Sequence, residues 1–319
     1  MQHSETVANF HCMTPAVILF VFNRPKQTAQ VINALRDVAP PTVLLVADGP
    51  RRTHPHDAEN CAEVRQIVAE LIDWNPVILT HFAPENMGCR ARVSTGLTWA
   101  FQHVDSAIIL EDDIVPNPSF YRYAGELLEL YKTDKRVGVI AGTNHQPEPF
   151  HCADSYYFSR YGHCWGWATW KRAWEHYDDQ MVEWPKLRAS NWINSIFSNS
   201  RHARTWTKLF NAVYDRRKNS WAYVWQFCLW AHGMKTILPA QNLTENIGLG
   251  PDGNGTNTVS TDSSRLHKKA TPLLFPLKHP ASTDWNEQAD HFTQDLIWGK
   301  RPKPPRWIRF LNFLIRRPQ

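Results

Sequence analysis

The chain has 319 residues, of which 43% are hydrophobic, so it can bury one large α/β core or two smaller ones without disulfides or structural metals. The net charge is +5, but residues 300–319 carry seven Lys and Arg and no acid. Residues 1–299 therefore have a net charge of −2, which makes them a poor partner for nucleic acid, because nucleic acid binds to a basic face. Six scattered cysteines without C-x-x-C spacing exclude the usual zinc and redox motifs and predict reduced thiols.

Strand-like and helix-like segments alternate through the first 110 residues. Continuous apolar runs predict strands, and apolar positions at helical spacing predict the helices between them. In chain order these are a strand at 17–22, a helix at 27–35, a strand at 43–47, a helix at 57–72, a strand at 77–79, a helix at 90–101 and a strand at 107–110. This alternation predicts an α/β fold with a doubly wound, mainly parallel sheet that is covered on both faces.

Polar side chains follow three of the four predicted strands, and ligands of doubly wound sheets bind beyond the carboxyl ends of the strands. We therefore expect these side chains to meet at one crevice. They are Asn23 and Arg24 after the first strand, Asp48 and Gly49 after the second, and Glu111, Asp112 and Asp113, here named the acidic cluster, after the fourth.

The acidic cluster forces two or three carboxylates together at the edge of the sheet. Such like charges resist simultaneous ionisation unless a cation compensates them. Hard oxygen ligands suit Mg²⁺ or Mn²⁺, which keep coordination positions open for phosphate oxygens. The alternative is that Glu111 caps the following turn and that the two aspartates are solvated loop residues.

Beyond Gly142 the sequence becomes rich in Trp, Tyr, Gly and His, especially over residues 156–177. We interpret this region as loops. Aromatic side chains on irregular backbone suit a concave sugar-binding surface, since sugar rings stack on indoles. The other interpretation is a core that uses tryptophan as filler.

Together these motifs resemble the GT-A fold of nucleotide-sugar glycosyltransferases, specifically the animal N-acetylglucosaminyltransferase I type. The matching segments are Phe22-Asn23-Arg24-Pro25, Asp48-Gly49 and Ile109-Leu110-Glu111-Asp112-Asp113-Ile114-Val115-Pro116. The chain is also similar to bacterial family 2-like glycosyltransferases through Trp165-Gly166-Trp167-Ala168-Thr169-Trp170 and Asn246-Ile247-Gly248. The resemblance covers residues 16–258 and implies that a sugar moves from a nucleotide diphosphate sugar, such as a UDP-sugar, to a glycan or lipid-linked acceptor.

The resemblance also implies a domain layout and residue roles. The layout is an N-terminal extension at 1–15, a GT-A domain at 16–270 that divides into a nucleotide-sugar half at 16–142 and an acceptor half at 143–270, and a basic tail at 271–319. The nucleotide sugar would be held by Asn23, Arg24, Asp48, Gly49, Arg92, Glu111 and Asp112. The metal, Mn²⁺ or Mg²⁺, would be held by Asp113, Asp112 and Asn257, and the acceptor would face Trp165, Gly166 and Trp167.

Two positions depart from the family pattern. Asn257 stands where related bacterial chains carry a histidine as the second metal ligand, so His267 is an alternative ligand. An inverting transferase also needs a carboxylate that deprotonates the acceptor hydroxyl, and the comparable stretch, Trp221-Ala222-Tyr223-Val224-Trp225, contains none. The substitute bases are Asp178, Asp179 and Asp215.

Two features of the sequence bear on membrane contact, namely the lack of a long apolar run and the pattern of the C-terminal end. No run reaches the roughly 18 apolar residues of a membrane span, and residues 1–14 lack the pattern of a signal peptide, so we expect a cytoplasmic protein. Beyond Pro305, apolar and basic residues alternate at helical spacing, which is typical of a helix that lies on an anionic membrane surface. A terminal helix packed on the catalytic domain is the other interpretation.

Two other functions share this pattern. A sugar nucleotidyltransferase would also use metal-bound aspartates, but it normally needs a glycine-rich loop after the first strand, and residues 22–25 contain no glycine. A catalytically inactive carbohydrate-binding protein would explain the missing base and Asn257.

Overall fold

The computed structural model describes residues 14–249 and 266–299. The strands in this part of the chain are β1 (Val17–Val21), β2 (Thr42–Ala47), β3 (Val77–Phe82), β4 (Ser106–Glu111), β5 (Ile114–Pro116), β6 (Val137–Ala141), β7 (Tyr156–Ser159), β8 (Trp167–Trp170), β9 (Lys235–Pro239) and β10 (Thr244–Asn246). The helices are α1 (Pro25–Arg36), α2 (Asp57–Leu71), α3 (Cys89–Ala100), α4 (Pro118–Leu130), α5 (Lys171–Trp174), α6 (Trp184–Ala189), α7 (Ile193–Ile196), α8 (Ser200–Tyr214), α9 (Trp221–Ala231) and α10 (Glu287–Trp298). A short 3-10 helix spans Ile247–Leu249.

Eight strands form one sheet in the order β3-β2-β1-β4-β8-β6-β9-β7. The first four are mutually parallel, β8 runs antiparallel to both of its neighbours, and β7 runs antiparallel to β9. β5 and β10 form a separate antiparallel pair. The predicted α/β fold with a mainly parallel sheet is confirmed, and the strands and helices predicted before residue 111 all form.

The sheet has a hydrophobic core on each face, because successive side chains of a strand point to opposite sides. On β1, Ile18 and Phe20 join one core and Val17, Leu19 and Val21 join the other. Helices α1, α2 and α4 cover the second core, and α3, α8 and α9 cover the first. Each fully buried aliphatic side chain contributes about 1.5–3 kcal/mol, so these layers fix the strand ends in place.

Residues 156–177, expected to be loops, instead contain β7, β8 and α5. β8 inserts between β4 and β6, and its Trp167 pairs in register with Ile109. The sheet is therefore continuous across the division predicted at residue 142. Of the fifteen tryptophans in the chain, those buried in the described residues are Trp167, Trp170, Trp174, Trp184, Trp206, Trp221, Trp225 and Trp230.

Residues 271–299, predicted to begin the basic tail, pack on the body of the protein. Gln146 donates from Nε2 to the Ala289 carbonyl, and the buried Asp290 accepts a hydrogen bond from Arg160 Nε at 2.8 Å. The amphipathic segment beyond Pro305 lies outside the described residues, as do residues 1–13. None of the helices within residues 14–249 and 266–299 has the length and hydrophobicity that a membrane span needs.

Candidate functional site

The acidic cluster lies where the winding of the sheet changes direction. From β1 the chain winds through α1 to β2 and through α2 to β3, and α3 then returns it to β4 on the other side of β1. β1 and β4 are parallel neighbours, and Phe20 pairs with Glu111 at their carboxyl ends. A crevice forms at such a reversal and is where open α/β sheets bind ligands. The topology therefore brings Asn23 and Arg24 beside the acidic cluster.

Arg24 binds both aspartates of the cluster. Its Nη2 lies 2.7 Å from Asp112 Oδ1, and its Nη1 donates to Asp113 Oδ2, also at 2.7 Å. The second oxygen of Asp112 accepts a hydrogen bond from the Phe22 backbone N–H at 3.2 Å. A guanidinium that contacts two carboxylates offsets their mutual repulsion. The cation that compensates the cluster here is thus Arg24 itself.

Asp113 keeps one carboxylate oxygen free. It is 8% exposed, and its Oδ1 is buried with no hydrogen-bond partner among the described residues. Its backbone carbonyl accepts from the Ile247 N–H at 2.8 Å, which ties the cluster to the 3-10 helix. A buried acceptor without a partner costs about 1–3 kcal/mol, so a group that donated to this oxygen or coordinated it would be stabilised.

Gly248 packs directly against this ion pair. A Cβ atom at this position would lie 2.2 Å from Asp113 Oδ2 and 2.8 Å from Arg24 Nη1. Asn246 fixes the turn, since its Oδ1 accepts from the Gly248 N–H at 2.8 Å. The Asn-Ile-Gly segment therefore forms a wall of the site that only glycine can complete.

Burial changes the ionisation of the cluster. Burial raises the pKa of Glu111, and the charges of Asp113 and Asp112 raise it further. Burial also raises the pKa of Asp112, although the Arg24 charge opposes that shift. The carboxyl groups of Glu111 and Asp112 therefore bind a proton more readily than free carboxyl groups would.

The donor set fits a magnesium-like ion only in part. Within residues 14–249 and 266–299, no three His, Cys, Asp or Glu side chains are grouped so that they could hold a metal. Mg²⁺ and related ions, however, are usually bound by one or two carboxylates and completed by substrate phosphates and water. Asp113, with its free Oδ1, and Asp112 fit that arrangement once Arg24 leaves them.

Asp48 organises the loop that precedes α3. Its Oδ1 accepts from the backbone N–H groups of Gly49 and Met87, and its Oδ2 accepts from Gly88 N–H and Asn86 Nδ2, all at 2.8–3.1 Å. Both oxygens are therefore engaged by the protein. A Cβ at Gly49 would approach the Glu85 backbone to 2.4 Å, which explains why a glycine stands there.

Asn23 and Arg92 also bond to the protein rather than open into the crevice. Asn23 Nδ2 donates to Asp57 Oδ1 at 2.8 Å, and the Arg51 hydrogen bonds lower the pKa of Asp57 to about 2. Arg92 is buried and donates to the Ala47 carbonyl at 3.0 Å. These contacts brace the ends of β1 and β2.

The predicted acceptor residues differ in accessibility, and one of them, Gly166, approaches the residue that follows the acidic cluster. Gly166 has φ +71°, and a Cβ there would lie 3.2 Å from Ile114 Cγ2, next to the cluster. Trp165 is half-buried and meets the His145 ring edge to face at 5.4 Å. Trp167 is 1% exposed and stacks on Trp221 in the core. Its indole face is therefore covered by protein.

The three candidate bases have protein partners. Asp178 accepts from the Gln180 and Val182 backbone N–H groups, and exposed Asp215 pairs with Arg217 at 2.7 Å. The remaining candidate, Asp179, pairs with Arg90 at 2.7 Å and with Arg216 at 2.8 Å. Although burial alone would raise the pKa of Asp179, these two arginines lower it.

The two candidates for a second metal ligand lie at the edge of the described chain. Asn257 falls outside the described residues. His267 is described, and its Nε2 lies 3.2 Å from Glu245 Oε1 on β10.

The sequence left a surface salt bridge as the alternative role of Arg24, and it assigned no role to two features of this site. These are the Gly248 wall and the neighbours of Glu111 on α3. The last group includes Cys89, which is exposed and whose pKa is raised by the Glu111 charge among other causes. The available signal was a glycine two residues after a strand end in Asn246-Ile247-Gly248.

No protein-family model and no curated protein sequence matches this chain. Among solved structures it is similar to a mannosyltransferase, PcManGT from Pyrobaculum calidifontis, in complex with GDP-Man and Mn²⁺, at 15% identity over 48% of this chain and 43% of that one, with a TM-score of 0.33. It is also similar to HddC from Yersinia pseudotuberculosis, at 10% identity over 50% and 77% of the two chains, with a TM-score of 0.30. A UDP-glucose pyrophosphorylase complexed with UDP-glucose matches at 9% identity over 51% and 78%, with a TM-score of 0.31. At these identities the likeness concerns the fold alone.

Proposed function

We propose that this protein is a glycosyltransferase that moves a sugar from a nucleotide diphosphate sugar to an acceptor hydroxyl, with a divalent metal ion at Asp113. One observation carries the proposal. At the topological reversal of the sheet, Asp113 presents a buried carboxylate oxygen with no partner in the described chain, beside an arginine. An oxygen ligand next to a guanidinium suits a metal-bound diphosphate, since the guanidinium binds phosphate in a planar fork.

Different residues of the chain would bind the metal ion and stabilise the leaving group. Asp113 and Asp112 would hold Mn²⁺ or Mg²⁺, which when bound supplies a Lewis acid toward the diphosphate. Arg24 would add positive charge to the phosphate oxygens as the glycosidic bond breaks, and such fixed charge supplies most of the barrier reduction. The nearby half-buried Trp165 would border the acceptor sugar. Asp179, held by two arginines, would be a weak base.

The central test replaces Asp113 with Asn, which keeps the shape of the side chain and removes its charge. Thermal unfolding is measured with a panel of nucleotide sugars, with and without Mn²⁺, because a ligand that binds only the folded state raises Tm. We expect a Mn²⁺-dependent rise for wild type and its loss in Asp113→Asn. The matched control is Asp105→Asn, at an exposed position just before the other end of β4. Equal responses of Asp113→Asn and wild type would overturn the metal assignment.

Product analysis distinguishes this function from its competitors. A glycosyltransferase releases a nucleoside diphosphate in the presence of an acceptor, whereas a sugar nucleotidyltransferase forms pyrophosphate from a nucleoside triphosphate and a sugar phosphate. A carbohydrate-binding protein would release neither. We expect nucleoside diphosphate release that depends on a glycan or a lipid-linked saccharide.

We also propose that the C-terminal segment brings the enzyme to an anionic membrane surface, which would suit a lipid-linked acceptor. The basis is the alternation of basic and apolar residues beyond Pro305. Co-sedimentation with anionic liposomes compares the full chain with a chain that ends at Lys300. Equal pelleting of the two proteins would refute this part of the proposal.

A further inference from the structure

Arg24 stands where a metal ion would have to compensate the acidic cluster. Its side chain is 17% exposed and reaches Asp112 and Asp113 with two contacts of 2.7 Å. Both bonds are charge-assisted, and the two aspartates sit on adjacent positions of one strand end. One positive charge of the same protein therefore already compensates part of the negative charge of the proposed metal ligands.

Few oxygen atoms of the two aspartates remain available to bind a metal ion. Asp112 uses one oxygen for Arg24 and the other for the Phe22 N–H. Asp113 uses Oδ2 for Arg24, and only its Oδ1 lacks a partner among the described residues. A divalent cation that approached this oxygen would meet the Arg24 charge beside it and be repelled.

A neighbouring segment of the chain packs against the ion pair between Arg24 and Asp113. Gly248 lies so close that a Cβ there would meet both Asp113 Oδ2 and Arg24 Nη1 within 2.8 Å. The Ile247 N–H binds the Asp113 carbonyl and keeps this wall in position. The space around the pair therefore leaves little room for a metal while Arg24 remains bound.

We infer that Arg24 is an exchangeable counter-ion: it blocks the metal site in the nucleotide-free protein and is drawn away by the diphosphate of the donor, which frees Asp112 and Asp113 for the metal. The inference rests on the proposed function. It makes the binding of metal and nucleotide cooperative, because each is favoured by the state in which Arg24 has left the aspartates. Arg24 is a binding residue in one state and an inhibitor of metal binding in the other.

The experiment measures Mn²⁺ affinity by electron paramagnetic resonance, with and without UDP, and corrects for Mn²⁺ bound by UDP in protein-free samples. In wild type we expect UDP to raise the Mn²⁺ affinity at least tenfold. In Arg24→Gln we expect Mn²⁺ to bind at least tenfold more tightly than in wild type when UDP is absent, and UDP to change that affinity less than threefold. Arg24→Lys keeps the charge but loses the fork, and it should bind Mn²⁺ in the absence of UDP with an affinity between the two.

A matched control uses the same helix and the same substitution. Arg36 lies at the other end of α1 and pairs with Asp73 at 2.9 Å, so Arg36→Gln removes an exposed ion pair far from the cluster. It should reproduce the wild-type values. Circular dichroism verifies that each variant is folded.

Two failures are distinguishable. If Arg24→Gln and Arg24→Lys bind Mn²⁺ no more tightly than wild type without UDP, the counter-ion inference is wrong while the transferase proposal stands. If Asp113→Asn binds Mn²⁺ as wild type does, with and without UDP, the metal site is elsewhere, and both the proposed function and the inference fail.

Discussion

Replacement of Gly248 by Ala is the sharpest steric test of the site. The added Cβ would lie 2.2 Å from Asp113 Oδ2 and 2.9 Å from Asp113 Cβ, well inside the 3.4 Å at which ordinary contact begins. The Asp113 carboxylate must therefore move by about 1 Å, and a misplacement of that size can cost on the order of 100-fold in function. The overlap itself should lower the free energy of unfolding by about 1–3 kcal/mol.

The assay for Gly248→Ala combines urea unfolding with calorimetric titration of UDP in the presence of Mn²⁺. We expect a modest loss of stability and a clear loss of UDP affinity, because the displaced Asp113 is the proposed metal ligand. The control is Gly233→Ala, where φ is +66° and no described atom lies within 4 Å of the new Cβ. That variant should lose about 1–2 kcal/mol from left-handed backbone strain and bind UDP normally. Unchanged UDP binding by Gly248→Ala would refute the assignment of this wall to the site.

Three further predictions concern buried charges. Asp290→Ala should cost about 1–3 kcal/mol in urea unfolding, because buried Arg160 loses its 2.8 Å partner but keeps Glu287 and the Ile196 carbonyl; the exposed Asp295→Ala on the same helix should change little. The pKa of His163 is lowered by burial to about 4, below the unfolded value of about 6.5, so the unfolded chain binds the extra proton and stability is lost as pH falls between these values; His163→Gln should lose less stability over that range, as unfolding at pH 7 and pH 4.5 would reveal. The pKa of Glu111 is raised by burial, so here the native state binds the extra proton and stability falls as pH rises above the ordinary glutamate value; Glu111→Gln should be more stable than wild type at pH 9 by about 1–3 kcal/mol and nearly equal to it at pH 5.

The sequence was sufficient to predict the first half of the sheet because its strands are continuous apolar runs. β1, β2 and β4 are buried on both faces, which is what such runs indicate. β3 has the same kind of run, but it is the edge strand of the sheet, and its Val77 is 60% exposed. Apolar composition predicts that a strand forms and does not reveal how much of it is covered.

The second half was predicted less well because its strands are short and aromatic. β8 has the sequence Trp167-Ala168-Thr169-Trp170, which lacks the length and the aliphatic run that mark β1. It forms because it fits between β4 and β6, a choice made by contacts between distant parts of the chain. The same tryptophans that suggested a sugar surface mostly fill the core around α8 and α9.

The meeting of the strand ends was predictable, but the partners of their side chains were not. Strand ends can be read from local pattern, so the meeting of Arg24 with Asp112 and Asp113 followed from topology alone. Whether Arg24 faces a ligand or the carboxylates depends on distances between residues 89 positions apart. Asp48 shows the same limit, because four donors of its own chain already occupy the carboxylate that was expected to hold the nucleotide.

The acidic cluster is stable without a ligand because the protein spreads its compensation over several groups. Arg24 supplies the charge, the Phe22 N–H supplies a hydrogen bond, and burial favours the protonated form of Glu111. Each of these interactions is noncovalent, and Asp113 Oδ1 has no partner in the described chain. Under the counter-ion proposal, Arg24 compensates part of this charge at rest, and the cluster with its Asp113 Oδ1, which has no partner in the described chain, binds a cation only when a polyanionic substrate draws the arginine away.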